Sequence, residues 1–253
     1  MADSWVTHAI YAVSRAGSAP DASEDAAAVR DEELPVRAAV ADGATESVYA
    51  GRWARLLVEH LVAEAAAPRA ALPAATDRAR ADWQAAVDEA GTEQPWYVQS
   101  KVAEGAFATL LGLWVEADGT WRAASVGDCG LFQLRAGRVQ RAWPEADPDA
   151  FGNRPALLSS RPDAPAPTPD VVSGTWKPGD TFLLATDAGA AWTLRAGPSA
   201  VLDGDCPFVE TVEAARADGT LRNDDTTLLC LEMAAHPEGH DPSPGTEEPD
   251  RSL

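Results

Sequence analysis

The residues best placed to do chemistry in this chain are acidic ones at the ends of apolar runs. Asp42 closes VRAAVADG, Asp187 closes TFLLATDAG, and Asp128 sits in the turn of ASVGDCG. Asp224 and Asp225 stand just before TTLLCLE, and Glu24 and Asp25 just before AAAV. A carboxylate beside a buried strand is costly unless it is paired, hydrogen-bonded or bound to a cation. Arg222 is the only basic residue within two positions of Asp224, and none lies that close to Asp42 or Asp187. If these strand ends meet, mutual repulsion raises the carboxyl pKa values unless a divalent ion is present. Hard ions such as Mg2+ and Mn2+ take oxygen ligands and keep several waters. Two of them on bridging carboxylates serve hydrolytic phosphoryl transfer.

Each acid also has an ordinary reading. Asp-Gly occurs four times (Asp42, Asp118, Asp203, Asp218), and such pairs are commonly turns. Asp187 before Ala-Gly suits a helix N-cap. Glu24-Asp25 suits the solvated surface of an acidic chain, and Asp224-Asp225 suits the start of a turn.

The elements that must position these acids read as separate blocks of strand and helix. Val36–Ala41 is a strand entering the Asp42-Gly43 turn. Ser47–Ala67 carries Val48, Trp53, Leu56, Leu57 and Leu61 at helical spacing, and a second helical stretch spans about Thr76–Ala90. Pro68 and Pro73 punctuate the gap between them. Phe107–Val115, Trp121–Val126, Leu131–Leu134 and Val139–Ala142, separated by short turns, predict an antiparallel meander. Trp143–Thr175 is proline-rich and reads as a loop. Thr181–Thr186 and Thr226–Glu232 read as buried strands, with a helix over Pro207–Ala217 between them. Segregated strand blocks and helix pairs indicate an α+β fold of two packed sheets flanked by helices.

Composition narrows the function. Of 253 residues, 40 are acidic and 20 basic, a formal charge of −20 that repels phosphate backbones and anionic membrane surfaces. Neither nucleic acid nor a membrane is expected as a partner, and the charge is compatible with binding cations. No apolar run is long enough to span a bilayer, and the N-terminus lacks the pattern of a signal peptide. Three widely spaced cysteines (Cys129, Cys206, Cys230) without a CxxC fit a reducing, cytoplasmic setting better than a disulfide framework. Residues 1–235 are expected to form one domain, and 236–253, rich in Pro, Gly and acid, a disordered tail.

Taken in order, SEDAAAV, AVADGA, GAFATLLGL, ASVGDCGLF, DTFLLATDAG and RNDDTTLLCL resemble the metal-dependent Ser/Thr phosphatases of the PP2C (PPM) family, of a divergent bacterial type. The family's signatures there are an acidic ED, a VADG after a strand, a GSTA-like strand opening, a VGDS turn, a LLASDG strand end and a DNxT strand start. The resemblance covers about residues 10–233. It implies a β-sandwich of two antiparallel sheets with helix pairs outside (α-β-β-α). It further implies that Asp42 bridges two Mn2+ or Mg2+ ions, with the Gly43 carbonyl on one and Asp187 and Asp224 on the other. Glu24 and Asp25 match the ED element, which binds the second ion or orients its waters. Asp128 matches the VGDS aspartate, which with Asp187 can hold a looser third ion. The implied activity is hydrolysis of phosphoserine or phosphothreonine on the protein substrate of a Ser/Thr kinase, through a water activated by two metals. The cysteines then have no catalytic part.

The substrate-facing positions depart from that pattern. Pro20 stands where the family's phosphate-binding arginine is usual, leaving Arg15 and Arg154 as weak candidates. Ala44 replaces the histidine proposed to protonate the leaving group, Ala191 a further aspartate, and Gly130 an arginine. Two rival functions therefore stand beside the first. One is a catalytically weak regulatory or binding module in a kinase system; the other is a phosphatase of small metabolites.

Overall fold

The molecule is described by a computed structural model in which residues 5–19, 22–32, 34–44, 49–90, 104–151, 154–202 and 206–234 are placed. Along the chain these form β1 (Val6–Val13), β2 (Ala26–Arg30), β3 (Val36–Ala41), α1 (Ala50–Ala63), α2 (Pro68–Ala90), β4 (Phe107–Ala108) and β5 (Leu110–Val115). Next come β6 (Thr120–Val126), β7 (Gly130–Arg135), β8 (Arg138–Trp143), β9 (Leu158–Ser159), β10 (Asp170–Thr175) and β11 (Asp180–Ala185). Helices α3 (Asp187–Ala196), α4 (Pro198–Val201) and α5 (Phe208–Asp218) then lead into β12 (Thr226–Met233). One sheet has the order β1-β12-β11-β7-β8, a second β10-β6-β5-β3-β2, and β4 pairs with β9 alone. Every pairing is antiparallel.

Side chains alternate faces along a strand, and in the central strands both faces are covered. From β3, Val36, Ala38 and Val40 point between the sheets, where they meet Leu111, Leu113, Leu131, Phe182, Leu184, Leu229 and Leu231. The opposite residues, Ala39 and Ala41, lie under α1 and α2 with Trp53, Leu57, Leu61 and Leu72. On the other sheet, Leu183, Ala185, Leu228 and Cys230 face Trp192, Val201 and Val212 of α3, α4 and α5. Burial on both faces is why TFLLA and TTLLCL read as unbroken apolar runs, not as alternating ones. The result is four layers, helix–sheet–sheet–helix: the α+β sandwich that the family resemblance implies.

Several boundaries differ from the sequence reading, each for a physical reason. Helix α2 begins at Pro68 and passes through Pro73, ahead of the expected Thr76. A proline at the start of a helix loses nothing, because the first N–H groups have no intrahelical partner. Pro73 forgoes one hydrogen bond, and the fully buried row of Ala71, Leu72, Ala75 and Ala79 offsets it. Strand β10 lies inside the segment read as loop, pairing Asp170–Thr175 with Thr120–Ser125 of β6. It is an edge strand with mostly exposed side chains, so hydrophobic patterning does not mark it. The same holds for β1, whose exposed positions include Ile10 and Tyr11. None of the three cysteines is in a disulfide. The tail expected from His236 lies outside the described residues.

Candidate active site

Strand register brings the acids together. Ala26 of β2 pairs with Ala41 of β3, so Asp25 and Asp42 come opposite each other one residue beyond the ladder. Val40 pairs with Leu111 of β5, which sets Asp42 against Thr109. Thr109 N–H donates to the Asp42 carbonyl at 2.9 Å, and Asp42 N–H to Thr109 Oγ1 at 3.2 Å. In the other sheet Ala185 of β11 pairs with Gly130 of β7 and with Leu228 of β12. Asp187 thus falls beside the Asp128 turn and beside the start of β12, where Asp224 stands. Five strand ends deliver five aspartates to one edge of the sandwich.

Their electrostatics show how crowded that edge is. Burial raises the Asp42 carboxyl well above its ordinary range, and Asp25, Asp187 and Asp224 push it further. Asp25 is pushed by burial from 3.8 to about 7, with Asp225 and Asp187 adding repulsion while hydroxyls of Thr186 and Thr227 oppose it. Asp187 and Asp224 are raised by burial as well, against the opposing effect of Arg222. Asp25 and Asp42 lie close enough to share a proton. When both are ionised neither carries a donor, and Asp25 Oδ1 is then buried with no hydrogen bond among the described residues.

Around the acids stands a set of positioning groups. Thr186, the last residue before Asp187, donates its hydroxyl to Asp25 Oδ2 at 2.8 Å. Thr186 N–H donates to the Thr227 carbonyl, and Thr227 N–H returns to Thr186 Oγ1, so β11 and β12 are stitched at that point. Asp225 is buried and accepts the N–H groups of Arg15 and Glu24, both at 2.7 Å, tying the ED segment to the start of β12. Arg216 of α5 donates to the carbonyls of Ser14 at 2.9 Å and Asp224 at 2.5 Å. Arg222 reaches furthest in: its Nη2 donates to Asp187 Oδ2 and lies 3.2 Å from Asp224 Oδ2. The visible signals for Thr186 and Arg222 were a hydroxyl preceding a strand-end Asp and an arginine two residues before Asp224. Their partners are set by the tertiary fold.

The remaining expected site residues are placed as follows. Glu24 is half-buried, and its carbonyl accepts Gly43 N–H at 3.2 Å. A Cβ on Gly43 would stand 2.7 Å from the Glu24 carbonyl oxygen and 2.8 Å from the Ala50 carbonyl carbon, so only glycine lets the three backbones meet. Arg15 reaches the cluster's edge by its backbone, while its Nε donates to Ser18 Oγ at 3.2 Å. Arg154 is exposed with a φ of 60°, and no hydrogen bond or ion pair among the described residues joins it to the five aspartates. Cys129 is buried against Thr109 Oγ1 at 3.0 Å, and burial with nearby Asp42 keeps its thiol protonated. A thiol so held is no nucleophile.

The family profile described as Protein phosphatase 2C matches residues 18–223, well over half of the chain. The chain belongs to the protein phosphatase 2C family. Solved PP2C-like structures share its fold at low identity. A bacterial serine phosphatase gives a TM-score of 0.63 at 12% identity, over 92% of this chain and 98% of that one. The catalytic domain of the serine/threonine phosphatase PstP, solved with 2 manganese ions, gives 0.58 at 17% identity, over 90% and 98%. PppA, a regulatory component of the T6SS in Pseudomonas aeruginosa, gives 0.55 at 20% identity, over 91% and 98%. No curated protein sequence matches the chain.

The PP2C edge of this chain fits hard divalent cations in its donor set. Asp187 and Asp224 share Arg222, Asp25 Oδ1 is buried without a donor among the described residues, and burial with mutual repulsion raises the Asp25 and Asp42 carboxyls. As they stand, no three acidic, histidine or cysteine side chains among the described residues are gathered tightly enough to enclose an ion. The carboxylates have other partners in this state. Arg222 engages Asp187 and Asp224, and each of these also accepts a nearby backbone N–H, from Ala188 at 2.5 Å and Asp225 at 3.0 Å. Ions of this class also retain water, so few protein ligands per ion suffice.

Proposed function

We propose that this PP2C member is a metal-dependent phosphatase that hydrolyses phosphoserine or phosphothreonine on protein substrates, with Asp42, Asp187 and Asp224 at its centre. The observation that carries the reading is the charge deficit at the sandwich edge: five aspartates converge from five strand ends, and among the described residues Arg222 is ion-paired with two of them, Asp187 and Asp224. Asp42, with Gly43, Glu24 and Asp25, would hold one divalent ion, and Asp42, Asp187 and Asp224 the other; Asp128 and Asp187 would hold a looser third. Bound there, Mn2+ or Mg2+ supplies an acidified water and neutralises charge on the phosphoryl oxygens. The chain's own residues provide the geometry. Thr186 and Thr227 fix the Asp25 carboxyl by hydrogen bonds. Asp225 and Arg216 hold the ED segment and the Asp224 loop in register. With water as the nucleophile no phosphoenzyme is needed, so the cysteines have no catalytic part.

The partner in this reading is a phosphoprotein, the product of a Ser/Thr kinase. PppA, a regulatory component of the T6SS, and the serine/threonine protein phosphatase PstP support that class. No described helix is long and apolar enough to cross a membrane. The test is hydrolysis of p-nitrophenyl phosphate and of phosphopeptides with Mn2+. Activity is expected to vanish with EDTA and to fall at least about hundredfold in Asp42→Asn and Asp187→Asn. Full activity in both variants would remove the assignment.

A second reading, a regulatory module with weak turnover, is favoured by the sequence DGATES in place of a histidine or glycine after Asp42-Gly43, and by Pro20. Mn2+ binding without turnover of any phosphopeptide selects it. Preference for small phosphorylated metabolites over phosphopeptides selects the third.

A further inference from the structure

We propose that the Arg222 guanidinium is a resident counter-cation for the Asp187–Asp224 half of the site. A divalent ion can occupy that half only when the guanidinium withdraws, so Arg222 sets the chain's affinity for its second ion. The inference rests on the two-ion reading above.

One nitrogen, Nη2, engages Asp187 Oδ2 and stands 3.2 Å from Asp224 Oδ2, spanning both carboxylates assigned to one ion. Among the described residues no other cation is ion-paired with Asp25, Asp42, Asp187 or Asp224. A guanidinium and a divalent ion on the same two carboxylates would repel each other in a partly dry site, so they exclude one another.

The loop is built so that the side chain can leave while the backbone stays. Leu221 is buried and its N–H donates to the Ala215 carbonyl at 3.0 Å; the Asp224 carbonyl is held by Arg216. Between these anchors the Arg222 side chain is 38% exposed, against 9% for Asp187. The guanidinium therefore has an open route to water, whereas the carboxylate it covers does not. The two halves of the site then differ. Among the described residues no cation is ion-paired with Asp25 or Asp42, so their half fills first, and the Asp187–Asp224 half second and more weakly.

Calorimetric titration of the full chain with Mn2+ at about pH 8, where metal competes better with protons than at lower pH, tests this. The wild type is expected to show two binding events. Arg222→Gln should tighten the weaker one about fivefold, the scale of a lost half-exposed ion pair, and leave the tighter one within about twofold. Arg222→Lys, which keeps the charge, should fall between. Loss of fold can weaken metal binding but cannot tighten it. A second measurement needs no variant: with 15N-labelled arginine, Mg2+ should convert one protected guanidinium signal to fast exchange with water. Unchanged or weaker binding in Arg222→Gln, or an arginine signal indifferent to Mg2+, overturns the inference while leaving the two-ion reading intact. Absence of any metal binding by the wild type overturns both.

Discussion

Asp42 shows how a single position acquires its chemistry. Its backbone is fixed by Thr109 on one side, and its carboxyl faces Asp25 on the other. The glycine that follows matters through space alone, since a Cβ there would meet backbone atoms of Glu24 and Ala50, which cannot swing aside. Gly43→Ala should destabilise the fold by about 1–3 kcal/mol, the usual cost of overpacking. Because the displaced atoms adjoin Asp25 and Asp42, Mn2+-dependent hydrolysis should fall more than about tenfold. Urea unfolding and p-nitrophenyl phosphate assays measure both. A variant as stable and as active as the wild type would show that the close approach does not matter. The acids themselves were readable because a charge next to an apolar strand demands a partner. Thr186 and Asp225 were not, because their roles depend on contacts 161 and 201 residues away.

Among the strands, those of the sandwich interior were legible; at its margins β8 was read from its turn, whereas β1 and β10 were not. TFLLA and TTLLCL are buried on both faces, so their burial is written in composition. β1 and β10 lie at sheet edges with one face in water, and DVVSGT carries no run that distinguishes it from a turn. In α2 the prolines pointed to a gap, but the packing of Leu72 and Trp83 outweighs them. The site sits where these elements end, so what holds their ends in register is decisive. Arg216 joins α5 to the end of β1 and to the loop before β12 through the Ser14 and Asp224 carbonyls. Arg216→Ala should cost about 1–3 kcal/mol, with those carbonyls left to water or unpaired. Activity should fall further than stability alone explains, because Asp224 is released. Arg216→Lys should rescue neither fully, since an ammonium lacks the planar fork that spans two carbonyls. Thermal melts and Mn2+ assays at temperatures where all variants stay folded separate the two effects.

Over the molecule as a unit, the acidic balance of the sequence and the crowded edge of the sandwich act in the same direction. A chain of net charge −20 repels itself, and the edge concentrates that repulsion where solvent screens it least. For a carboxyl whose pKa is higher folded than unfolded, the folded state binds the proton more tightly. The resulting stabilisation is complete below the unfolded value and is lost as pH rises through the folded one. With Asp25 at about 7 against an ordinary 3.8, and Asp42, Asp187 and Asp224 also raised, metal-free protein should lose stability between about pH 4 and 7. Carboxyls held low, such as Asp180 beside Arg135, act in the opposite sense and at lower pH. Divalent ions reverse the trend, because they bind the ionised carboxylates and gain on the proton as pH rises. The most direct measurement is the melting temperature across that window, with EDTA and with Mn2+. In EDTA it should fall toward pH 7, and Asp25→Asn should flatten the decline; the gain from Mn2+ should grow over the same range. A melting temperature that rises toward pH 7 without metal, or one that Mn2+ leaves unmoved, would contradict a cation-demanding cluster of aspartates at this edge.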